Sequence, residues 1–316
     1  MKKDNKDFKV GYIDNTGKIV VKPIYETDEL TFAGPNEGFG SIVLDGKHGF
    51  VNKNGDVVIK PQYDDSGLFH EGLAAVKIGN DWGYIDPNGK LVIKAQFEYA
   101  HPFLNGQAHV SINGKWGHIN KAGEIIISPV FRDCANFSGG LAAVSIDTYL
   151  FFGRIKIFGY INKKGIFFIK PEFDIADNFS EGLAAVSKIG RNTKFGFIDK
   201  YGRLIIKQRF DYTLEFSEGL AAVMKGKKWG FINKKGRLVI RARFDETFGF
   251  FDGLAAVKIG NKWGFINKDG KLVINNKYEF VWPFSKEIEG LASFTTKLTN
   301  GFIDKNGKVI CEFNTH

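Results

Sequence analysis

The amino-acid sequence predicts an all-β fold, a tandem array of nine three-stranded antiparallel units of about 34 residues, stacked as an open, twisted, solenoid-like array. Three observations predict it. One glycine recurs at a nearly fixed interval, and each copy lies in a hairpin with the same turn pattern. The chain also holds 38 glycines and 31 phenylalanines but only two methionines, a mixture typical of short strands separated by tight turns.

The recurring glycine defines the repeat. Consecutive copies are separated by 38, 34, 34, 42, 37, 34, 34 and 37 residues, so the unit has 34 residues with insertions of three, four or eight. We expect residues 1–316 to form a single repeat domain in which the first and last units act as caps. The hairpins begin near Gly11, Gly49, Gly83, Gly117, Gly159, Gly196, Gly230, Gly264 and Gly301.

The best-formed element of each unit is a hairpin, seen clearly from Trp263 to Ile274, where two apolar runs flank a four-residue turn. In all nine copies this turn begins with Asp or Asn and ends with Gly, as in Asn267 and Gly270. The first side chain accepts backbone N–H bonds, and the glycine adopts a positive φ. The pattern therefore predicts two antiparallel strands.

A further strand precedes this hairpin, as in Leu254-Ala255-Ala256-Val257, and the dipeptide Gly260-Asn261 predicts a tight turn after it. Since strand side chains alternate, Trp263 and Phe265 should face one neighbour and Gly264 and Ile266 the other. We expect the glycine to allow close approach of a neighbouring unit.

The third strand is predicted to end at a proline, because proline cannot donate to the ladder. The prolines are Pro23, Pro61, Pro129 and Pro171. A connector follows with two aromatic residues six positions apart, which should anchor it to the core. These pairs are Tyr63/Phe69, Phe97/Phe103, Phe131/Phe137, Phe173/Phe179, Phe210/Phe216, Phe244/Phe250 and Tyr278/Phe284.

An alternative to the open stack is a closed β-propeller-like ring. Propellers typically have four to eight blades of four strands, whereas the sequence indicates nine units of three strands. The anchored connector could supply a short fourth strand and change that count. The open array is the preferred interpretation, and the ring stays open as the alternative.

The motif Lys-Trp-Gly-Phe-Ile-Asn-Lys-x-Gly-Lys-Leu-Val-Ile is almost complete from Lys228 to Ile240 and from Lys262 to Ile274. In these residues the chain resembles the WG β-repeat family, also called KWG repeats, and looser copies cover nearly the whole chain. The resemblance implies a bacterial repeat module without a shared enzymatic activity. Phe158 and Phe195 replace the tryptophan in two copies, which indicates that the position needs bulk rather than an indole N–H.

Composition limits the location and the chemistry. Cys134 and Cys311 lie in unrelated contexts, so neither a disulfide framework nor a zinc site is indicated. The N-terminal residues lack the apolar run of a secretory signal, and no membrane helix is indicated. We therefore expect a cytoplasmic protein without membrane insertion.

No set of residues predicts catalysis, a cofactor or a metal ion. Catalysis needs unlike groups at one point, and a repeat presents the same residues many times. The histidines occupy different repeat positions without metal-ligand spacing, so structural or solvated roles are expected for His48, His70, His101, His109, His118 and His316. The Asp/Asn turns lack the further oxygen ligands of a calcium loop. We expect the protein not to be an enzyme.

Two rows of charge recur along the repeat. Acidic residues precede the glycine that opens the first strand, at Glu71, Glu181, Glu218, Asp252 and Glu289, where hydrogen bonding within turns or connectors is favoured over a functional row. Lysine fills the second turn position at Lys53, Lys121, Lys163, Lys200, Lys234, Lys268 and Lys305. This basic ridge could bind a polyanion, although exposed lysines also prevent sheets from pairing between molecules.

The clearest departure from the repeat is an eight-residue insertion through residues 147–156, next to a lengthened loop through residues 188–194. Equivalent loops of neighbouring units should project from the same side. An apolar tip beside basic residues is typical of a protein contact, although longer strands that simply cover each other are an equal alternative. The candidate contact residues are Tyr149, Leu150, Phe151, Phe152, Arg154, Lys156, Arg191 and Lys194.

The sequence therefore predicts a non-catalytic interaction scaffold whose partner is another protein. A module that binds a glycan, cell wall or polyanion through the basic ridge is the alternative. The sequence does not indicate the oligomeric state.

Overall fold

The computed structural model describes residues 9–13, 18–26, 37–150, 153–188, 193–285 and 290–314. The chain divides into two compact units, Met1–Asn136 and Phe137–His316. The described residues form 33 β-strands in eight antiparallel sheets. The predicted all-β class is therefore confirmed.

The first unit contains three complete sheets, which we call blades 1 to 3. Blade 1 has five strands, because the N-terminal hairpin β1–β2 joins its edge, and blades 2 and 3 have four each. The strands are β1 (Lys9–Ile13), β2 (Ile19–Glu26), β3 (Phe39–Leu44), β4 (Lys47–Asn52), β5 (Val57–Tyr63), β6 (Asp65–His70), β7 (Leu73–Ile78), β8 (Asp81–Ile85), β9 (Leu91–Phe97), β10 (Tyr99–Ala100), β11 (Gln107–Ile112), β12 (Lys115–Asn120) and β13 (Ile125–Phe131).

Blades 4 to 8 follow, each with four strands in chain order. Blades 4 and 5 are β14 (Asp133–Cys134), β15 (Leu141–Leu150), β16 (Gly153–Asn162) and β17 (Phe167–Phe173), then β18 (Ile175–Ala176), β19 (Leu183–Ser187), β20 (Phe195–Asp199) and β21 (Leu204–Phe210). Blades 6 to 8 are β22 (Tyr212–Ser217), β23 (Leu220–Lys225), β24 (Lys228–Asn233), β25 (Leu238–Phe244), β26 (Glu246–Phe251), β27 (Leu254–Ile259), β28 (Lys262–Ile266), β29 (Leu272–Tyr278), β30 (Phe280–Val281), β31 (Ala292–Thr295), β32 (Thr299–Ile303) and β33 (Val309–Asn314).

The prediction of nine three-stranded solenoid units is wrong. Eight successive antiparallel sheets, one of five strands and seven of four, are the blades of a β-propeller, so the fold class is an eight-bladed β-propeller. The missing fourth strand is the connector. In blade 6 it pairs through Tyr212↔Met224 and Thr213↔Val223, which satisfies backbone groups that would otherwise lie unpaired beside the next strand.

The count of nine also has a structural reason. The first hairpin, β1–β2, repeats only the last two strands of a blade, and it joins blade 1 through the single residue pair Glu26↔Val43. We call the four strands of blades 2 to 8 a, b, c and d in chain order. In blade 1, strands β3, β4 and β5 correspond to b, c and d. The a–b and c–d turns lie at one end of each blade, the turn edge, and the b–c turns and d–a connectors lie at the other, the connector edge.

The recurring glycine of strand c is required by its own blade, not by a neighbouring unit as predicted. A Cβ atom at Gly264 would lie 2.6 Å from the carbonyl oxygen of Ile274 and 2.7 Å from the nitrogen of Asn276, both in strand d. Strand d bulges there, between the pairs Trp263↔Tyr278 and Phe265↔Ile274. Only glycine lets the bulged strand pass so close.

The predicted strand ends at proline are also wrong. Strand β5 runs on to Tyr63, β13 to Phe131 and β17 to Phe173, so Pro61, Pro129 and Pro171 lie inside strand d. The nitrogen of Pro61 lies opposite Gly49, within the bulge. Because the bulged residues do not donate to strand c, proline is tolerated at this place.

The hydrophobic cores lie between successive blades within each unit. Between blades 6 and 7, Phe231 and Phe244 pack with Phe250 and Ile266, and all four are buried. Phe265, the residue before Ile266, faces blade 8 and packs on Phe284 with ring centroids 4.8 Å apart. The alternation of strand c and the anchoring aromatic residues are thus confirmed, and each buried side chain contributes about 1.5–3 kcal/mol.

Candidate binding surfaces

The eight-residue insertion forms an extended β-hairpin of strands b and c of blade 4. An ordinary hairpin of this chain ends at the pair Ile259↔Lys262. In blade 4 the corresponding pair is Ile146↔Ile157, and pairing continues over four more rows to Leu150↔Gly153. At about 3.4 Å per residue, these four rows make the hairpin roughly 14 Å longer than that of blade 7.

The side chains of the extended hairpin carry both a large ring and charge. Tyr149 is 78% exposed. Arg154, its cross-strand neighbour, forms an ion pair with Asp147. The Lys156 ammonium lies 5.1 Å from the ring centroid of Phe158.

The structure brings together only part of the predicted contact cluster. Tyr149, Arg154 and Lys156 share the hairpin, and the backbone of Leu150 belongs to its last pair. Lys194 instead forms an ion pair with Asp211, at the connector that leads into blade 6. Phe151, Phe152 and Arg191 lie outside the described residues.

The predicted basic ridge is engaged largely within the protein. Four of its seven lysines form ion pairs with carboxylates of the preceding blade: Lys121 with Glu71, Lys234 with Glu181, Lys268 with Glu218 and Lys305 with Asp252. In the Lys268 pair the nitrogen–oxygen distance is 3.2 Å, and the ammonium also donates to the Glu218 carbonyl oxygen at 3.1 Å. These lysines are therefore neutralised at the turn edge.

The acidic row occupies the first position of the a–b turns. The φ angles of its four described members lie between 50° and 53°, as the first central position of a type I′ turn requires. These members are Glu71, Glu181, Glu218 and Asp252. Each glutamate of this set also accepts a backbone N–H from the next blade's turn, as Glu218 does from Gly253 at 3.0 Å. The expected hydrogen-bonding role is confirmed, and Glu289 lies outside the described residues.

Acid, lysine and glycine thus form one recurring contact, which we call the turn-edge clasp. The carboxylate belongs to one blade, and the glycine N–H and the lysine belong to the next. Between blades 1 and 2, Glu37 accepts from Gly72 at 2.9 Å, but Pro87 replaces the lysine. The described residues offer no carboxylate to Lys53, Lys163 or Lys200, and Lys200 lies 5.0 Å from the ring centroid of Tyr201.

A second row of clasps follows the connector edge and explains the lysine that precedes the Trp-Gly pair. Between blades 6 and 7, Lys228 of strand c contacts Asp245 at 2.5 Å, and Gly260 of the next b–c turn donates to the same carboxylate at 2.8 Å. Asp64 joins Lys47 and Gly79 in the same way, and Asp211 joins Lys194 and Gly226.

These connector-edge clasps favour the charged form of each carboxylate. The hydrogen bond from Lys228, followed by that from Gly260, lowers the pKa of Asp245. Hydrogen bonds from Lys47 and Gly79 lower the pKa of Asp64 in the same way. Both aspartates are therefore ionised at neutral pH and bind the neighbouring blade as anions.

Among the described residues, neither clasp joins blades 4 and 5. At the turn edge Gly139 stands where blades 1, 2, 5, 6 and 7 have an acid, and at the connector edge Ile157 stands where blades 1, 3, 5, 6 and 7 have a lysine. Asp174 occupies the connector carboxylate position, and burial raises its pKa. An exposed ion pair between Lys188 and Glu172, at 2.9 Å, and a hydrogen bond from Ser138 Oγ to the Phe179 carbonyl oxygen join the two blades.

Three histidines that occupy different positions of the repeat lie close together in blade 3. The rings of His101 and His109 stack with centroids 3.8 Å apart, and His118 lies 6.0 Å from His109. Burial lowers the pKa of His109 to about 3 and that of His118 to about 4, so both rings are neutral at pH 7. Cross-strand pairing of β11 with β12 brings His109 opposite His118, which the spacing alone did not reveal.

The structure also shows a cavity of about 270 Å³ between blades 5 and 6, lined by Arg209, Phe210, Val223 and Leu238 among others. Arg209 donates there to the Gly236 carbonyl oxygen at 2.7 Å. Among the described residues, no group of three or more His, Cys, Asp or Glu side chains has an arrangement that could hold a metal ion.

An aromatic cluster in blades 7 and 8 was also missed. Phe248 lies in strand a of blade 7, Phe280 lies in strand a of blade 8, and Trp282 follows that strand. Trp263, in strand c of blade 7, packs against Phe248. The signal was present: Trp282 lies two residues before the anchoring Phe284, where blade 2 has Gly67 and blade 4 has Ala135.

The fold and the repeated clasps define a β-propeller whose blades are copies of one sequence motif. The family model described as "WG containing repeat" matches eight segments, residues 11–47, 49–80, 82–116, 116–147, 158–190, 195–229, 229–263 and 263–295. The chain therefore belongs to the WG repeat family.

Comparison with other proteins adds likeness in fold. No curated protein matches the sequence. The crystal structure of a eukaryotic initiation factor is similar over 98% of this chain and 96% of its own, with 9% identity and a TM-score of 0.65. Citrobacter koseri AztD is similar over 94% of this chain and 89% of its own, with 13% identity and a TM-score of 0.45. At these identities the likeness concerns the fold alone.

Within the described parts of the chain, no helix has the length and apolar character needed to cross a membrane.

Proposed function

We propose that this WG repeat protein is a non-catalytic scaffold that binds another protein through the extended hairpin of blade 4. The observation that carries the proposal is that this hairpin pairs over four rows more than the b–c hairpin of blade 7, with Tyr149 78% exposed opposite Arg154. Tyrosine and arginine are the residue types most often found at the energetic centres of protein interfaces.

The pairing of the hairpin supports this assignment. Within the described residues, the rows Thr148↔Ile155 and Tyr149↔Arg154 pair with no strand of the sheet other than their own two, so their outer edges present backbone donors and acceptors. A partner can therefore add a strand to the hairpin and place a pocket around the tyrosine ring. The blade below provides a rigid base, since Tyr160 and Ile161 of the same strand are fully buried.

The recurring polar residues fit a binding scaffold better than an enzyme. The lysines and carboxylates that recur along the chain hold blades together through the two rows of clasps. For the same reason the basic ridge is a weaker candidate for binding a polyanion. The hairpin is a feature that the repeat itself does not require.

The proposal is tested by shortening the hairpin. Residues 147–156 are replaced by Gly-Asn, which reproduces the ordinary turn Gly260-Asn261 between Ile146 and Ile157. Proteins retained by the full chain are identified by mass spectrometry, purified, and tested for direct binding to both variants by calorimetry. We expect the shortened variant to lose binding at least tenfold while its melting temperature stays within a few degrees.

A milder variant, Tyr149→Ser, keeps the hairpin and removes the ring, and it should also lose most of the affinity. The matched control is Tyr201→Ser, because Tyr201 is 59% exposed in the c–d turn of blade 5. Binding that survives both the shortened hairpin and Tyr149→Ser would refute the proposal.

A further inference from the structure

The aromatic cluster of blades 7 and 8 is a row of rings with one open face. Phe248 stacks on Trp263, with centroids 5.1 Å apart and an interplanar angle of 27°, and on its other side Trp282 lies 5.7 Å away at 35°. Phe280 crosses this row almost at right angles, 5.4 Å from Trp282. Trp282 is the last ring of the row and remains 59% exposed.

Packing of the blades does not explain this tryptophan. Each of blades 2 to 8 has an anchoring phenylalanine, and Trp282 stands two residues before that of blade 8, Phe284. The same position elsewhere holds Gly67, His101, Ala135, Asp177, Leu214 and Phe248. Since glycine and alanine serve in other blades, a blade folds without a large ring there, and only blades 7 and 8 carry aromatic residues side by side.

The geometry decides between kinds of ligand. The rings of Phe248, Phe280 and Trp282 contact one another directly. No space for a cation therefore remains between them, as an aromatic cage would need. The exposed ring of the cluster is the Trp282 indole, which is a flat apolar platform. A flat apolar face binds a group that is itself flat and apolar on one side.

The charges beside the cluster favour an uncharged ligand. Lys258 pairs with Glu246 and Lys262 pairs with Glu279, each at 2.6 Å, so both signs are present and balanced. The Lys258 ammonium lies 5.9 Å from the centroid of Trp263, which already places a cation beside the row. Because each of these lysines is paired with a glutamate, the cluster offers no net charge that would attract an ionic ligand.

We propose that Trp282, supported by Phe248 and Phe280, is a stacking platform for a sugar ring of an uncharged glycan. The apolar face of the pyranose lies on the exposed indole. This site is separate from the blade 4 hairpin, so each of the two proposals can fail without the other.

The test uses the full chain and a panel of neutral oligosaccharides, namely cellohexaose, chitohexaose, maltohexaose and mannohexaose. Binding is followed by tryptophan fluorescence and by calorimetry. We expect at least one of them to bind, and Trp282→Ala to weaken that binding at least tenfold. Trp282→Phe keeps an aromatic face and should weaken it less.

Loss of folding does not confuse this test, because alanine already stands at the equivalent position of blade 4, Ala135. Leu298→Ala is the matched control, since Leu298 is 63% exposed in the same blade and lies outside the cluster. It should leave binding unchanged.

Two results would overturn the proposal. One is the absence of binding by all four sugars at millimolar concentration, and the other is binding that Trp282→Ala leaves intact. A proline-rich peptide and heparin are tested in parallel. If either binds at Trp282 while the neutral sugars do not, the platform belongs to a peptide or to an acidic glycan, and the neutral-glycan assignment is wrong.

Discussion

Two junctions within the second unit share one packing scheme but differ in their charges. Between blades 6 and 7, Glu218 joins Gly253 and Lys268 at the turn edge, and Asp245 joins Lys228 and Gly260 at the connector edge. Between blades 4 and 5 the described part of the chain contains neither clasp, since Gly139 and Ile157 replace the acid and the lysine.

The comparison separates two layers of the repeat. The apolar residues and the glycine of strand c build each blade and are present on both sides of both junctions. The clasp residues act between blades, and two of them, the turn-edge acid and the connector-edge lysine, are replaced where blade 4 carries its long hairpin. We conclude that the clasps add stability to a junction without being needed to form it.

The largest expected effect tests whether the interiors of blades 4 and 6 are alike. Gly159→Ala and Gly230→Ala each place a Cβ atom 2.6 Å from a backbone carbonyl oxygen, of Ile169 and Ile240 respectively. Backbone atoms cannot move aside cheaply, so each change should cost about 3 kcal/mol or more. Urea unfolding should give similar costs for both, and a cost below about 1 kcal/mol in either blade would show that the bulge is not rigid.

The next largest effect is expected from removing the turn-edge carboxylate between blades 6 and 7. Glu218→Ala removes the acceptor of the Gly253 N–H and of the Lys268 ammonium, and we expect a loss of about 1 kcal/mol. Combining it with Lys268→Ala in a double-mutant cycle should give a coupling of about 0.5 kcal/mol. The matched control is Lys200→Ala at the junction of blades 4 and 5, where unfolding should be unchanged. Equal effects of Lys200→Ala and Lys268→Ala would contradict the comparison.

The two junctions should also respond to acid in opposite directions. The folded-state pKa of Asp245 is lowered by Lys228 and Gly260, so its contribution is complete above the ordinary pKa of about 4 and is lost as the pH falls through the lowered pKa. The pKa of Asp174 is raised by burial. Its charged form therefore opposes folding at neutral pH, and protonation removes that penalty.

Thermal unfolding of Asp245→Asn and Asp174→Asn between pH 3 and pH 7 measures both signs. At pH 7, Asp245→Asn should be less stable than the parent and Asp174→Asn at least as stable. Both differences should shrink towards pH 3. A destabilised Asp174→Asn at pH 7 would show that this carboxylate has a favourable partner.

The smallest effect is expected from adding a turn-edge carboxylate to the junction between blades 4 and 5. Gly139 has φ +60°, close to the +50° of Glu181 in the equivalent turn, so Gly139→Glu fits the backbone. The new carboxylate would reach the Gly182 N–H and Lys200. We expect a gain of about 0.5 kcal/mol, because the clasp is exposed and residues other than glycine are strained at positive φ. Gly139→Gln is the uncharged control and should gain less.

Much of the fold was predictable because it depends on local sequence. The Asp/Asn-x-x-Gly turns are confirmed, as Asn267 Oδ1 accepts from the backbone of Asp269 and Lys271 at 3.1 and 3.0 Å. The fourth strand was missed because strand a is only two residues long in half of the blades and carries no alternating pattern of its own. Its pairing depends on the free edge of strand b, which becomes visible only in three dimensions.

The candidate surfaces were predictable to a lesser degree. The insertion of residues 147–156 was found from repeat length alone, and the structure confirms a projecting hairpin there. The lysine ridge and the acidic row were both recognised, but their pairing was not, because Lys268 and Glu218 are 50 positions apart and belong to different blades. Contacts between repeats depend on the stacking geometry, which the period does not specify.

Hydrogen exchange at the a–b turns tests most directly the claim that carboxylate clasps hold some junctions more firmly than others. The amide of Gly253 donates to Glu218, whereas the corresponding amide of blade 5, Gly182, lies beside a junction whose equivalent residue is Gly139. We predict at least tenfold slower exchange at Gly253 than at Gly182, and a loss of that difference in Glu218→Ala. Equal exchange at the two amides in the parent protein would contradict the claim.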